Sequence, residues 1–305
     1  MAMTTKARPF ALLLASILIF SLLVQGEQSK VLLVQGIRAK DGDTILVQLS
    51  DGTRMDVRYA ATNAPGLDQC LGSKAQELND ELVKGKKIWL DVHPVKGGYE
   101  MAQGRVLAHV FLSATPTQTS SVSVLLVKAG MARLDVFNPS DTAIRNGDDF
   151  SVRYSDLIIS AQIEAVKERR GIWGECDGYP GSDLKIAAVK QWSDDEIVYI
   201  LNRGEEPIDL AAGWTLTDAS GSDRNALNLS EHITGTCLLP PGGIIRVHSG
   251  SIATGRGDEH TPCDQEAIDF YWTGRRIWNQ DKDEARLYSP DGRLVDVYPY
   301  PLDWK

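Results

Sequence analysis

The chain has 305 residues, of which 43% are hydrophobic and 24% charged, and its formal net charge is −9 at pH 7. That length is more than one compact core usually holds, so we expect two domains. The acidic balance repels phosphate and excludes a basic polyelectrolyte binder, so any contact with nucleic acid must come from a local cluster of Arg and Lys.

The charge is divided unevenly along the chain. Residues 29–180 carry 18 Lys and Arg against 19 Asp and Glu, whereas residues 181–305 carry 12 against 21. Neither segment is basic, and the difference in charge balance agrees with two domains.

The first 26 residues have the features of a secretory signal peptide. Lys6 and Arg8 give a positive start, and the apolar run at 10–24 is shorter than the roughly 20 residues that a membrane span needs. We expect cleavage near Gly26, although the residues before it are not a clean small-x-small site, so an uncleaved N-terminal anchor stays open. The sequence therefore predicts a secreted or extracytoplasmic protein with no stable membrane span after cleavage.

Four cysteines, Cys70, Cys176, Cys237 and Cys263, show no C-x-x-C spacing. An even number in an exported chain favours disulfides over zinc or redox chemistry. Three pairings are possible, and we choose Cys70 with Cys176, which would tie an early loop to the end of the last helix of the first domain. Cys237 with Cys263 would then close a loop inside the second domain. Free buried thiols are the alternative.

An acidic turn at 40–44 (KDGDT) lies between two alternating runs at 31–37 and 45–49. Asp41 and Asp43 flank Gly42, with Thr44 behind them, and such carboxylates can direct oxygens at a hard cation such as Ca²⁺. A solvent-facing hairpin turn is the alternative, because Asp and Gly are ordinary turn residues.

The runs that follow predict a small antiparallel barrel with helices. We expect strands at 31–49, 54–62, 87–92 and 105–112, a polar helix at 73–84 and a second helix at 122–129. A longer helix, capped by Asp149 or Ser151, should continue to Arg170. Five strands with helices across the barrel mouth form an OB-fold, which suits binding of extended phosphodiester chains.

Several motifs in this region come in a familiar order. The acidic turn is followed by a strand carrying Arg58, then by 61–66 (ATNAPG), by 103–110 (QGRVLAHV) with Arg105, and by 170–174 (RGIWG). This order resembles the staphylococcal nuclease (thermonuclease-like) family over about residues 31–175. The resemblance implies an α+β OB-fold domain at 29–176 that hydrolyses phosphodiester bonds in DNA or RNA.

The resemblance also implies a site in which two acidic side chains and a backbone carbonyl hold Ca²⁺. Asp43 matches the first metal carboxylate, Asp41 lies beside it outside the direct ligands, and Ala64 would supply the carbonyl. Arg58 and Arg105 match two arginines that grip the phosphate, since planar guanidinium groups can neutralise charge on a phosphoryl transition state. As an alternative, each arginine could simply form a salt bridge with Asp43 or Asp41.

Three departures from the family pattern predict a weakened site. Asn63 stands where the second metal carboxylate belongs, so Ca²⁺ should bind more weakly. Gly66 replaces the glutamate that acts on the attacking water, and Asp68 could substitute only through a water. The run 136–138 (VFN) lacks tyrosines for base stacking, which is worth about 1–3 kcal/mol per base. We therefore expect a slow thermonuclease-like hydrolase, or alternatively an inactive nucleic-acid-binding protein that uses the nuclease fold as a scaffold.

A breaker-rich linker at 177–183 (DGYPGSD) separates this domain from a β-rich region at 184–305. Short β runs at 184–192, 196–202, 213–218, 243–250, 267–272, 284–288 and 294–300 predict an all-β antiparallel sandwich. The runs 199–218 (YILNRGEEPIDLAAGWTLTD), 240–247 (PPGGIIRV) and 291–296 (DGRLVD) resemble the lamin tail domain. That resemblance implies an immunoglobulin-like, non-catalytic binding module with a protein or surface partner.

Two features of the second region could form a ligand surface. We expect Trp214 to fill the sandwich core rather than to stack on a ligand. The run 270–278 (FYWTGRRIW) could be a DNA or glycan surface, but a strand and edge loop whose arginines meet nearby acids is the favoured interpretation. No two histidines are spaced as a ligand pair, so zinc is not predicted.

Overall fold

A computed structural model describes residues 30–136, 150–263 and 265–301. The predicted signal peptide lies outside the described residues, as do Asp149 and two members of the 136–138 run, Phe137 and Asn138. In the part of the chain that is described, no helix is both long enough and apolar enough to cross a bilayer.

The N-terminal region combines a mixed sheet with helices. Its elements in chain order are β1 (Lys30–Ala39), β2 (Thr44–Gln48), β3 (Arg54–Tyr59), β4 (Thr62–Asn63), α1 (Gly72–Val83), β5 (Lys87–Val92), β6 (Pro94–Val95), β7 (Gly98–Tyr99), β8 (Met101–Ala102), β9 (Arg105–Phe111), α2 (Val122–Lys128), β10 (Arg133–Leu134), a 3-10 turn (Phe150–Val152), α3 (Ser155–Lys167) and α4 (Ile172–Glu175).

Five of these strands close into a barrel. The order is β3-β2-β1-β5-β9, and β3 pairs again with β9 to complete the ring. Alternate side chains such as Ile45, Val47 and Val57 point inward and are fully buried. The closing β3–β9 pair is parallel, so the expectation of an entirely antiparallel barrel was wrong. A ring of five strands cannot alternate direction throughout, because an odd number leaves one pair of neighbours running the same way.

The helices fall close to the predicted segments, except for the start of α3. Ser121 caps α2 by accepting a hydrogen bond from Val124 N, as a helix N-cap serine should. Ser151 does not cap α3, because it lies inside the 3-10 turn, and Tyr154 then adopts a left-handed conformation (φ 62°) that separates this turn from the helix. The helix ends at Lys167 rather than at Arg170, and Arg169 is again left-handed.

The C-terminal region is an all-β sandwich. Its strands are β11 (Leu184–Lys190), β12 (Asp195–Asn202), β13 (Ile208–Asp209), β14 (Thr215–Thr217), β15 (Ala226–Asn228), β16 (Leu238–Leu239), β17 (Ile244–Gly250), β18 (Ala267–Thr273), β19 (Asp283–Tyr288) and β20 (Leu294–Tyr300). Two four-stranded sheets, β11-β12-β17-β18 and β15-β14-β19-β20, enclose one hydrophobic core. The β17–β18 pair is parallel, because the chain crosses over before β18 instead of turning back in a hairpin, so the prediction of a fully antiparallel sandwich was wrong at this pair.

The two regions are packed tightly against each other. Ala188 and Trp192 of the C-terminal region belong to the hydrophobic core of the N-terminal region. The buried Gln162 amide of α3 donates hydrogen bonds to Ala187 O at 2.6 Å and to the Tyr298 hydroxyl at 2.9 Å. The two regions therefore share buried contacts and are not connected by the linker alone.

Two disulfides are present, Cys70–Cys176 and Cys237–Cys263. They are the two pairs chosen from the sequence. The first links the loop before α1 to the residue after α4, and the second lies within the sandwich region. No cysteine is left as a free thiol.

Candidate functional site

The acidic turn between β1 and β2 is packed inside the barrel mouth. Lys40 N donates to Thr44 O at 2.8 Å, and Asp43 N donates to Asp41 Oδ1 at 3.0 Å, which together fix the turn. A Cβ on Gly42 would lie 2.4 Å from the Cβ of Ala64, so only glycine allows the turn to approach the loop after β4 this closely. The alternative of a solvent-facing turn therefore does not describe this segment.

Asp43 is the most deeply placed carboxylate of the turn, with 5% of its surface exposed. Its Oδ2 accepts a hydrogen bond from Ala64 N at 2.6 Å and lies 3.1 Å from Arg58 Nη2, while its Oδ1 accepts from the Thr44 hydroxyl at 3.2 Å. Burial raises the pKa of Asp43 to about 6, Arg58 opposes that change, and the nearby charge of Asp41 adds to it. The Asp43 carboxylate is thus fixed by three protein contacts, and the charge of Arg58 does not fully offset the effect of burial on its pKa.

Arg58 is almost completely buried, and its guanidinium group is held by protein atoms. Nη1 donates to Thr62 O at 2.6 Å and to Tyr59 O at 3.1 Å, and Nη2 donates to Asn63 Oδ1 at 3.3 Å beside its ion pair with Asp43. Desolvation lowers the pKa of Arg58, and the Asp43 charge partly restores it. This arrangement positions Asp43 and leaves Arg58 poorly accessible from solvent.

Arg105, at the start of β9, is the accessible arginine of the site. Its Nη1 donates to Thr44 Oγ1 at 2.8 Å and lies 4.0 Å from Asp41 Oδ2, and its Nη2 donates to Gln103 Oε1. About a quarter of the side chain is exposed. Asp41, Asp43, Arg58 and Arg105 therefore converge at one end of the barrel, as the resemblance implies, and each arginine also faces an aspartate, as the salt-bridge alternative requires.

Asn63 lies beside a carboxylate that the sequence reasoning missed. Its amide nitrogen donates to Asp135 Oδ2 at 3.0 Å, and Asp135 is only 3% exposed. The contact arises because β4 pairs with β10, and Asp135 N then donates to Ala61 O at 3.1 Å. The charge of Asp135 also acts on Arg58. The available signal was a single acidic residue in the run 131–136 (MARLDV), which is otherwise apolar except for Arg133.

Two further predicted positions lie in the loop after β4. Ala64 directs its N–H toward Asp43, and the role of its carbonyl as a metal ligand stays a prediction. Gly66 N donates to Gln69 Oε1 at 2.6 Å, and a Cβ at position 66 would meet only the flexible ends of Gln69 and Asp68, at 3.1 and 3.2 Å. The loop can therefore hold a side chain at position 66 although it has none.

The donor atoms at the turn suit a hard cation in type. Asp41, Asp43 and Thr44 offer only oxygens, which Ca²⁺ requires. Over residues 30–136, 150–263 and 265–301, however, no three His, Cys, Asp or Glu side chains are grouped as a metal centre. The set therefore fits Ca²⁺ in chemistry while providing fewer charges than the resemblance implies.

A closed five-stranded barrel with an acidic turn and two convergent arginines defines a nuclease-like OB-fold, followed here by a β-sandwich. Residues 55–175 match the family model of the Staphylococcal nuclease homologue, and residues 178–301 match that of the Lamin Tail Domain. The chain thus consists of a staphylococcal nuclease-like domain followed by a lamin tail domain. No curated protein matches it. The acidic turn precedes the matched segment, so its assignment depends on the motif and the geometry.

The arginines and tryptophans of the candidate ligand surface of the lamin tail domain make contacts within the protein. Arg276 Nε lies 3.1 Å from the fully buried carboxylate of Glu196, and Arg275 donates to Arg224 O at 2.5 Å. Trp278 is buried in the core, and Trp214 is half-buried against it. These contacts agree with the strand-and-loop interpretation of 270–278.

Proposed function

We propose that this protein is an exported, weakly active phosphodiesterase that hydrolyses nucleic acid with the help of Ca²⁺, and that its lamin tail domain is a non-catalytic binding module. The observation that carries the proposal is the ion pair of 3.1 Å between Arg58 Nη2 and Asp43 Oδ2, with Arg105 bound to the adjacent Thr44. Opposite charges gathered at the mouth of a nuclease-like barrel provide what phosphate binding and cation binding both need.

The two arginines have different tasks in this proposal. Arg105 is accessible and can bind a phosphate oxygen directly, with the strength of a charge-assisted hydrogen bond. Arg58 is buried and holds Asp43 in place, so its contribution is mainly positional. Asp43 and Asp41 would hold Ca²⁺, which when bound would neutralise phosphate charge and polarise the attacking water.

The expected activity is low because Gly66, at the position of the expected glutamate, has no side chain to accept a proton from water. General acid or base assistance typically contributes about 10²- to 10⁴-fold to a rate, and Gly66 cannot supply it. Asp68 is exposed in the loop and would act only through an intervening water. Asn63 adds an oxygen without charge, which weakens the hold on Ca²⁺.

A second candidate function is nucleic-acid binding without cleavage. It is favoured by the burial of Arg58, whose guanidinium donates to the Tyr59 and Thr62 carbonyls. If only Arg105 can reach a phosphate, the domain retains one electrostatic contact but lacks the second guanidinium that a phosphoryl transition state would use.

Export is supported by the leader-like first 26 residues and by the two disulfides, which persist in oxidising compartments. In such a setting the lamin tail domain would attach the nuclease-like domain to a protein or surface partner outside the cytoplasm.

The test is a cleavage and binding assay of the purified mature protein on single- and double-stranded DNA and RNA, with Ca²⁺ and with a chelator. We expect slow, chelator-sensitive cleavage that is lost in Arg105→Ala and Arg58→Ala. Arg54→Ala is the matched control, because Arg54 is an exposed arginine on β3, the strand that carries Arg58. Binding without cleavage would support the second candidate, and neither binding nor cleavage would reject both.

A further inference from the structure

A cavity of about 330 Å³ lies where the two domains meet. Arg133 and Trp173 line it from the nuclease-like domain, and Lys185, Asp296 and Tyr298 line it from the lamin tail domain. Its size is in the range of small-molecule sites, and it combines aromatic walls with a few charged groups, as such sites do. None of the residues of the acidic turn contributes to it, so it is distinct from the candidate nuclease site.

Most charges around this cavity neutralise one another. Lys185 Nζ lies 2.9 Å from Asp177 Oδ1 and 2.7 Å from Asp296 Oδ1. Asp177 also pairs with Arg203 at 2.5 Å, so two lysine or arginine charges meet two carboxylates. This cluster is complete and offers no net charge to a ligand.

Arg133 is different, because within the described ranges it forms no ion pair with a carboxylate. It is 5% exposed, its guanidinium carbon lies 3.8 Å from the centre of the Tyr298 ring, and its Nη2 donates to Pro299 O at 2.6 Å. A buried guanidinium that has only a carbonyl and a ring for partners among the described residues is a site of uncompensated positive charge.

Two of the residues that line the cavity also carry hydrogen-bond donors that lack an acceptor. Arg133 Nε and Trp173 Nε1 are both buried, and neither has an acceptor in the described part of the molecule. Buried polar groups in proteins are normally paired, so two unpaired donors on one cavity indicate a missing acceptor. Both deficits, of acceptors and of negative charge, point to the same kind of ligand.

We infer that this interdomain cavity binds a small anion with a carboxylate or phosphate group and a flat apolar body. The anionic oxygens would accept from Arg133 and Trp173, and the apolar body would pack against Ile172 and the ring of Tyr179, which also line the cavity. Because the cavity is formed by both domains, the ligand would contact the nuclease-like domain and the lamin tail domain at once.

The test uses the mature two-domain protein and titrates benzoate and phenyl phosphate, with neutral benzamide as the isosteric control, by protein-observed NMR. We expect at least one anion to bind about tenfold or more tightly than benzamide, since a charge-assisted hydrogen bond is lost in the amide. The tighter of the two anions identifies the head group that the site prefers.

Variants separate this cavity from the nuclease site. Trp173→Phe, which keeps a ring but removes the donor, should weaken anion binding about threefold or more, and Arg133→Met should weaken it about tenfold. Arg105→Ala and Arg54→Met should leave it unchanged, whatever the outcome of the nuclease assay. If Arg133→Met fails to fold, anion binding by Trp173→Phe and the comparison of benzoate with benzamide still test the inference. Equal binding of benzoate and benzamide, no anion binding at all, or a loss in Arg105→Ala but not in Trp173→Phe would each overturn the inference.

Discussion

At the scale of single residues, the candidate nuclease site keeps a negative charge near the position where the family pattern places one. Asn63 has replaced the expected carboxylate, but its amide donates at 3.0 Å to the buried Asp135. The negative charge therefore lies beside Asn63, on Asp135, where it acts on Arg58. At Gly66 the missing proton acceptor could be replaced only by Asp68 acting through a water.

This arrangement predicts that the site can be restored by two substitutions. The double variant Asn63→Asp with Gly66→Glu should raise the Ca²⁺-dependent cleavage rate by about 100-fold, the lower end of what a positioned base contributes. The loop admits the new glutamate because a Cβ at position 66 meets only the ends of Gln69 and Asp68. Initial cleavage rates with saturating Ca²⁺ are the measurement, with Asn63→Asp plus Gly66→Gln as the control that cannot accept a proton. A double variant no faster than this control would contradict the proposed function.

His109 gives the nuclease-like domain a pH-dependent stability. Its ring is buried, Nε2 lies 2.8 Å from Phe150 O, and desolvation lowers its pKa from 6.5 to about 4, with Asp91 and Arg153 acting in opposite directions. The unfolded chain therefore binds a proton below pH 6.5 that the folded domain excludes. The stabilisation is complete above pH 6.5 and is lost as the pH falls toward 4, by about 3 kcal/mol in total.

Urea unfolding at about pH 7 and about pH 4.5 measures this dependence. His109→Gln keeps a donor for Phe150 O but does not titrate, so its stability should fall less between the two pH values than that of the wild type. An identical decrease in both proteins would show that other groups, not His109, control the acid sensitivity.

At the scale of elements, the end of α2 depends on a close approach of two glycines. Gly130 follows the helix with φ +70°, and a Cβ there would lie 2.1 Å from Arg170 O, while a Cβ on Gly171 would lie 2.2 Å from Gly130 O. Ile172 N donates to Gly130 O at 2.9 Å across this contact. The approach fixes the C-terminal segment of the domain, including α4, against α2.

Gly130→Ala should therefore cost about 3 kcal/mol or more, because backbone strain and a backbone clash act together. Gly52→Ala is the matched control: it also has a positive φ (+88°), but no atom lies within 4 Å of the added Cβ. That control should lose only about 1 kcal/mol, the cost of the backbone conformation. Thermal or urea unfolding of both variants gives the comparison, and equal losses would mean that the close approach does not matter.

The elements also show what the sequence can and cannot predict. Alternation located the barrel strands because that signal is local, and the resemblance pointed to the acidic turn, Arg58 and Arg105 as the candidate site. The start of α3 was predicted too early, because Tyr154 takes a left-handed conformation that no local sequence pattern indicates. Asp135 was missed because its contact with Asn63 spans 72 residues and exists only through the β4–β10 pair.

At the scale of the whole molecule, the two domains share an interior. Trp192 joins the core of the nuclease-like domain, and Gln162 joins α3 to Tyr298. Asp177, at the start of the segment predicted to be a linker, is held by Lys185 and Arg203. The junction cavity is lined by residues of both domains, Arg133 among them. The contacts of Trp192 and of Gln162 have no local sequence signal, since each joins residues from different domains.

The Cys70–Cys176 disulfide should stabilise this assembly more than Cys237–Cys263 does. It spans 106 residues and ends one position before Asp177, whereas the other spans 26 residues within one domain. Loop-closure entropy gives about 5 kcal/mol for the longer loop and about 3.5 kcal/mol for the shorter one.

Paired Cys→Ser variants of each bridge, compared by urea unfolding under non-reducing conditions, should show the larger loss of unfolding free energy for the first pair. Because Cys176 is covalently next to the ion cluster at the junction, that variant should also begin to unfold at lower urea in the segment 172–185, as followed by hydrogen exchange. A larger loss from the second bridge would mean that the lamin tail domain, not the junction, limits the stability of the molecule.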